Sequence, residues 1–403
     1  MKVKIIPSKA EGTVNAPSSK SMGHRLLICA GLCEGESLIE NVNYSEDILA
    51  TLDCLESMGA VILKNENSVK IKGVSPFEAE SCVYHCRESG STLRFFIPLA
   101  MLNASENLFT GYGRLMERPM TVYEKITAEK KITYIKNSDG ITVGGVLPSG
   151  RYTVSADISS QFISGLLFAL PLCSGESEIE LTGTIESRSY IDMTIDAMKS
   201  FGVEVQWKNE NTLFIKGNQK YVSQNLTVEG DYSNAAFPDA FNYVGGNVAV
   251  TGLNKNSLQG DKIYKKYFEL LKHGRPTLDI RNCPDLAPIL MSLACELNGA
   301  NLMGTKRLKI KESDRGEVMK QELTKFGADI DVYEDEIIIN KSQLTKPSQT
   351  LLSHNDHRVV MSLAVLCSKY GGEIEGAEAV KKSYPDFFQK TKFLGLEVKE
   401  YDN

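Results

Sequence analysis

Positive charge is not in excess in this chain: 45 lysines and arginines stand against 51 aspartates and glutamates, a formal net charge of −6. A protein that tracks a nucleic-acid backbone or an anionic membrane needs a broad basic face, which would dominate that balance. Neither partner is expected, although a local cluster of cations would still suffice for small anions. Long apolar runs are also missing, for the longest, 165–173 and 359–367, are too short to cross a bilayer. No targeting leader is legible, because "MKVKIIPSKA" reads as a strand followed by a loop, and a cytoplasmic location is expected. The nine cysteines are an odd number in a long chain, which points to reduced thiols rather than a disulfide framework. Cys29 with Cys33 and Cys82 with Cys86 are each four apart, and His85 adjoins the second pair, but no further ligand pair stands at zinc-like spacing. No metal is expected. Around Lys20 the P-loop glycine is absent, since Ser19 occupies its place, and this argues against a nucleotide site.

The 403 residues, 42% hydrophobic and 24% charged, are enough for a large core and on size alone suggest two domains. They also repeat. "GESLIENVNYSEDILATLDCLESMGAVILKNENSVKIKG" (35–73) and the stretch 175–217 share a plan: Gly-Glu, an alternating strand, a polar turn, an amphipathic helix ending at Met-Gly or Phe-Gly, then two strands. The plan returns from Gly299, in shortened form from Gly371, and more weakly at 106–126 and 245–271, which makes six copies. In the first, Ile48, Leu52, Leu55 and Met58 recur at three- and four-residue intervals, and the following glycine suits a left-handed helix stop.

Between the copies lie segments apolar over most of their length, such as "STLRFFIPLAML", "SQFISGLLFALPL" and "HRVVMSLAVLCSKY", which belong in a core as helices. Each unit is thus expected to hold a buried helix, a strand, an outer helix and paired strands. Almost every buried helix begins with a polar cluster: "SSKS", "ESGST", "SSQ", "CPD", "NDH". With such helices packed side by side about pseudo-threefold axes, their N-termini would share one end, where peptide dipoles favour anions.

Taken singly, these clusters have ordinary explanations. "SSKS" is sufficient as a helix cap, though a helix starting near Ser18 would set Ser21 and Arg25 one turn apart, and likewise Lys20 and His24. In "SSQ", Ser159 or Ser160 suffices as a cap, which leaves Gln161 without a structural task. "KIKESDRGEVM" is more specific: Lys311, Glu312 and Arg315 are spaced so that one helix turn would present two cations and a carboxylate. On a surface the same residues would be salt bridges of little weight. Asp285 in "CPDLAPIL" reads as a cap, or as a carboxylate kept ionised by a helix dipole; Arg358 opens another buried helix; His354 and His357 lack partners for a metal.

Together, "SSKS…R", "SGSTLR", "ERP", "SSQ", "SRSYIDMT", "PDLA", "KESDR", "NDHR" and "SYPDFF" resemble, in order and over essentially the whole chain, the motifs of the enolpyruvyl transferases. The resemblance implies an α+β fold of two lobes, each of three βαβαββ units about a pseudo-threefold axis. It places one lobe at about 19–228 and builds the second from 1–18 and 229–403. It further implies a monomer without metal or organic cofactor. The implied reaction transfers the enolpyruvyl group of phosphoenolpyruvate to the 5-hydroxyl of shikimate 3-phosphate and releases phosphate. Carried over motif by motif, phosphoenolpyruvate would meet Lys20, Gly90, Arg118, Gln161, Arg315, Arg358 and Lys382. Shikimate 3-phosphate would meet Ser21, Arg25, Ser159, Ser160, Gln161, Ser187, Tyr190, Asp285 and Lys311. Asp285, Glu312 and Lys20 would carry the chemistry, and closure of the lobes would assemble the site.

Two positions depart from the family pattern. Arg87-Glu88-Ser89-Gly90-Ser91 stands where Gly-Asn-Ser/Ala-Gly-Thr is common, and Arg307 where relatives often have asparagine, so no contact is carried over to it. The relative that uses UDP-N-acetylglucosamine as acceptor has a cysteine five residues before the arginine of Arg-Pro; here Gly113 occupies that place. A scaffold that only binds anions would do better without Asp285 and Glu312, whose negative charge repels them.

Overall fold

The computed structural model describes residues 1–401. The backbone divides into two compact units, one of Ser18–Glu229 and the other of Met1–Pro17 with the chain from Gly230 onward. Each has its own hydrophobic core. No helix among the described residues is long and apolar enough to cross a membrane.

In the Ser18–Glu229 unit the sheet plan occurs three times. Asn225–Thr227 lies parallel to Glu36–Glu40, which is antiparallel to Ser68–Lys72, and Val61–Lys64 completes a hairpin. Val83–His85, Glu106–Thr110, Gly140–Gly144 and Thr133–Asn137 repeat that order, as do Arg151–Ser155, Ser177–Thr182, Thr212–Ile215 and Val205–Asn209. The last strand of the unit therefore closes its first sheet. The helices Lys20–Gly31, Gly90–Ala100 and Ser160–Ala169 are buried over nearly their whole length, as their apolar composition requires. Lys20–Gly31 packs on the outer helices Glu46–Ser57 and Arg188–Ser200, and the other two pack on each other.

The second unit contains two four-stranded sheets of the same order. One is Thr277–Asp279, Ala300–Met303, Glu336–Ile339 and Ile330–Val332; the other is Leu351–Leu352, Gly372–Glu375, Lys2–Ile6 and Glu397–Tyr401. Its third sheet has only two strands, Asn247–Thr251 parallel to Glu11–Asn15. The repeat at 245–271 is thus incomplete, and the reason is chain length: after the helix Tyr264–His273 only three residues precede the strand Thr277–Asp279, too few for a hairpin. The buried helices Tyr232–Ala240, Ala287–Glu296 and His357–Tyr370 pack on one another.

Side chains cap most of the buried helices. Ser19, Ser89, Ser159, Asp231 and Asp356 each accept a backbone N–H of the first turn. The exception is the helix Ala287–Glu296, which is entered through a 3₁₀ turn, Pro284–Leu286, with no side-chain cap. All nine cysteines are free thiols, and eight of them are buried.

Candidate active site

The Ser18–Glu229 unit holds ten of the residues singled out in the sequence. Lys20 opens its helix, and its Nζ lies 2.7 Å from Asp47 Oδ2, a partner sequence reading did not supply. One turn on, Arg25 is buried with Nε 2.8 Å from Thr194 Oγ1, Nη1 2.6 Å from the Ser21 carbonyl and Nη2 3.0 Å from the Tyr190 carbonyl. Its guanidinium faces the Phe95 and Tyr190 rings. Burial lowers it to about 10, so it stays charged at neutral pH. Among the described residues no carboxylate pairs with it. A buried cation left with hydroxyls, carbonyls and ring faces is costly unless an anion joins it. The neighbours of Arg25 come from two helices whose first turns carry the serine motifs. Ser159 and Ser160 open Ser160–Ala169, which brings Ser164 to within 3.4 Å of Arg25; Ser187, at φ 57°, opens Arg188–Ser200, the source of Thr194 and Tyr190.

The other wall surrounds Gly90. A Cβ there would lie 2.5 Å from Arg118 Nη1 and 3.2 Å from Arg94 Nη1, so the absent side chain is what admits two guanidinium groups. Gln161, which a cap argument left idle, has a structural role after all: its Oε1 accepts from Arg94 at 2.7 Å and its Nε2 donates to Ser91 at 2.9 Å. Arg94, inside the quoted "SGSTLR", was not singled out; an arginine in an otherwise apolar helix was the available signal. The departures Arg87 and Glu88 also find partners. Arg87 binds Asp53 and Glu46, and a Cβ on Gly113, at φ 59°, would overlap the Glu88 carboxylate. A cysteine at 113 would have to displace the Glu88 carboxylate and adopt a left-handed backbone.

The second unit holds the remaining six. Three cations converge on Asp285: Arg315 Nη1 at 2.7 Å and Lys311 Nζ at 3.2 Å on Oδ1, and Arg358 Nη2 at 3.0 Å on Oδ2. Asp285 is not a cap; it sits in the 3₁₀ turn, its carboxylate occupied by these donors. Glu312 lies 2.7 Å from Arg315 Nη2. Their grouping does not arise from one helix turn, as the spacing suggested. Lys306–Ile310 is a 3₁₀ helix, Lys311 is extended, and the α-helix starts at Arg315, because Asp314 accepts Glu317 N–H as its cap. Arg315 is 1% exposed, and although burial opposes its charge, Asp356, Glu312 and Asp285 together hold it further above its usual range. Burial lowers Lys311, against the pull of Asp285. Lys382 Nζ donates to the Asn355 carbonyl at 2.7 Å.

Asp356 is the residue that sequence reading passed over. Fully buried, it accepts from Arg315 Nε at 2.8 Å, Ser313 Oγ at 3.1 Å and Arg358 N at 2.9 Å, so it fixes both arginines that face Asp285. The signal was an aspartate two positions before the arginine in "NDHR".

Residues 5–391 match the model of the EPSP synthase (3-phosphoshikimate 1-carboxyvinyltransferase) family. The chain belongs to that family. A 3-phosphoshikimate 1-carboxyvinyltransferase of Clostridium kluyveri is 44% identical, the alignment covering 99% of this chain and 98% of the relative. One from Clostridium acetobutylicum is 41% identical with the same coverage. The solved EPSP synthase of Acinetobacter baumannii shares the fold at a TM-score of 0.78, with 24% identity over 99% of this chain and all of that one. Family membership accounts for the repeated sheets.

Proposed function

We propose that this chain, like its family, transfers the enolpyruvyl group of phosphoenolpyruvate to the 5-hydroxyl of shikimate 3-phosphate, by addition and elimination through a tetrahedral intermediate. The observation that carries this reading is the convergence of Lys311, Arg315 and Arg358 on Asp285 with Glu312 on the same guanidinium. The reaction needs two proton transfers of opposite sense. Asp285 accepts the proton of the 5-hydroxyl as that oxygen bonds to C2 of the enol. Glu312 delivers a proton to C3, which becomes a methyl group, and later removes one as the C–O bond to phosphate breaks. Lys20 neutralises the charge that develops on the departing phosphate.

The binding roles are those the family resemblance implies, and the charges at these positions support them. Arg25, buried without a carboxylate, receives the phosphate of shikimate 3-phosphate with Ser159, Ser160, Ser187 and Tyr190, while Ser21, Gln161 and Lys311 orient the ring. Arg118 over Gly90, with Gln161, Arg315, Arg358 and Lys382, holds phosphoenolpyruvate; the guanidinium fork suits two oxygens at once. Holding two reactants in register lowers the barrier by roughly 7–11 kcal/mol, and the proton transfers contribute about 10²- to 10⁴-fold. We read the enzyme as a cytoplasmic monomer acting on small anionic substrates, and its nine free thiols suit a reducing compartment.

The test mixes shikimate 3-phosphate with phosphoenolpyruvate and follows phosphate release, with UDP-N-acetylglucosamine as control acceptor. Release with the first acceptor alone is the expected result; release only with the second would sink the proposal. Glu312→Gln should bind both substrates and turn over about 10²- to 10⁴-fold more slowly. Turnover equal to the unmodified enzyme would remove Glu312 from its role.

A further inference from the structure

The turn that delivers Asp356 and Arg358 is itself strained. His354 at φ 48° and Asn355 at φ 55° are consecutive non-glycine residues in the left-handed region, an arrangement that persists only where the surroundings impose it. The restraint comes from Glu322, on the helix that Arg315 begins. This carboxylate is 1% exposed and takes three donors: His354 Nε2 at 2.9 Å, Lys325 Nζ at 2.7 Å and the Leu352 N–H at 2.9 Å. Lys325 Nζ also reaches the Thr350 carbonyl at 3.1 Å. Chain segment 350–354 is therefore tied to the Arg315 helix and its C-cap Lys325 by three bonds.

On the far side of the same turn, the Asn355 carbonyl accepts Lys382 Nζ at 2.7 Å. The next residue, Asp356, holds Arg315 and the first turn of the Arg358 helix. We propose that His354 is a positioning residue for phosphoenolpyruvate binding: its bond to Glu322 keeps the turn 353–356 in the conformation that sets Lys382 and Arg358. The imidazole acts only through the backbone it fixes, and it takes no part in proton transfer. Lys382 and Arg358 are both assigned above to phosphoenolpyruvate, whereas shikimate 3-phosphate is reached only through the Arg358 bond to Asp285, so its loss should fall mainly on phosphoenolpyruvate. This inference rests on the reaction proposed above.

Glycine adopts a φ of 48° without strain, so His354→Gly removes the imidazole and leaves the turn able to form. Initial rates are measured with each substrate varied in turn, alongside thermal melts. The expected result is a KM for phosphoenolpyruvate raised about tenfold or more, the size of one lost charge-assisted hydrogen bond. The KM for shikimate 3-phosphate should stay within about twofold. His354→Gln, whose amide N–H can reach Glu322, should restore most of the loss. An unchanged KM for phosphoenolpyruvate, an equal rise in both KM values, or no recovery with glutamine would overturn the proposal. A purely structural role would lower the melting temperature of the glycine variant without separating the two KM values. If the unmodified enzyme released no phosphate, the reaction itself would fall, and the role of His354 with it.

Discussion

His24 shows how a single buried group links the sequence to behaviour in solution. It lies one turn after Lys20, 1% exposed, with Nδ1 2.7 Å from Thr51 Oγ1. Burial, reinforced by Lys20 and Arg25, lowers its affinity for a proton well below the usual histidine range. The folded imidazole therefore stays neutral where the unfolded one, with an ordinary pKa of about 6.5, becomes charged. Below that pH the unfolded chain binds the extra proton, so stability falls with acidification by up to about 1.4 kcal/mol per unit. Urea midpoints at pH 7 and pH 5.5 should converge in His24→Gln relative to the parent; parallel losses in both proteins would contradict this account. Glu322, held low by His354, Lys325 and the Leu352 N–H despite its burial, loses its contribution only as pH falls through and below the ordinary carboxylate range, about 4, outside that window. Most candidate residues were singled out through motifs that resemble the family's, each of which alone had an ordinary reading as a cap or a solvated charge. Asp356 and Arg94 were not, since aspartate before a helix reads first as a cap and a lone arginine as solvated.

Among the elements, the helix His357–Tyr370 shows what one cap can carry. Asp356 caps it and also neutralises Arg315, so Asp356→Ala removes a helix cap and leaves a buried guanidinium short of a partner. A loss of about 3–5 kcal/mol is expected in urea unfolding, of which Asp356→Asn should recover about 1 kcal/mol through the cap alone. Equal stability of the alanine and asparagine variants would show that the cap contributes nothing. The buried and outer helices were readable because their apolar spacing is strong and their caps are explicit. Two elements were misjudged for local reasons. Asp314 took the cap position and left "KES" outside the helix that Arg315 begins, and Gly274, Arg275 and Pro276 left no length for the hairpin of the repeat at 245–271.

For the whole molecule, the two cores share no residue, and the chain passes from one unit to the other at two adjacent places. Ser19 N–H bonds the Glu229 carbonyl at 2.7 Å, and Asp231 N–H bonds the Pro17 carbonyl at 2.8 Å. Residues 18–229 expressed alone should unfold in one cooperative transition, and so should a chain in which Pro17 is joined to Gly230 by a short linker. A non-cooperative melt from either piece would show that its core depends on the other.

The strand Lys2–Ile6 lies between Gly372–Glu375 and Glu397–Tyr401. A ribosome adding roughly 5–20 residues per second leaves that first strand without either neighbour for roughly 20–75 seconds. During that interval an apolar-polar ribbon with open edges trails from the nascent chain, and it is the segment a holding chaperone would have most reason to cover.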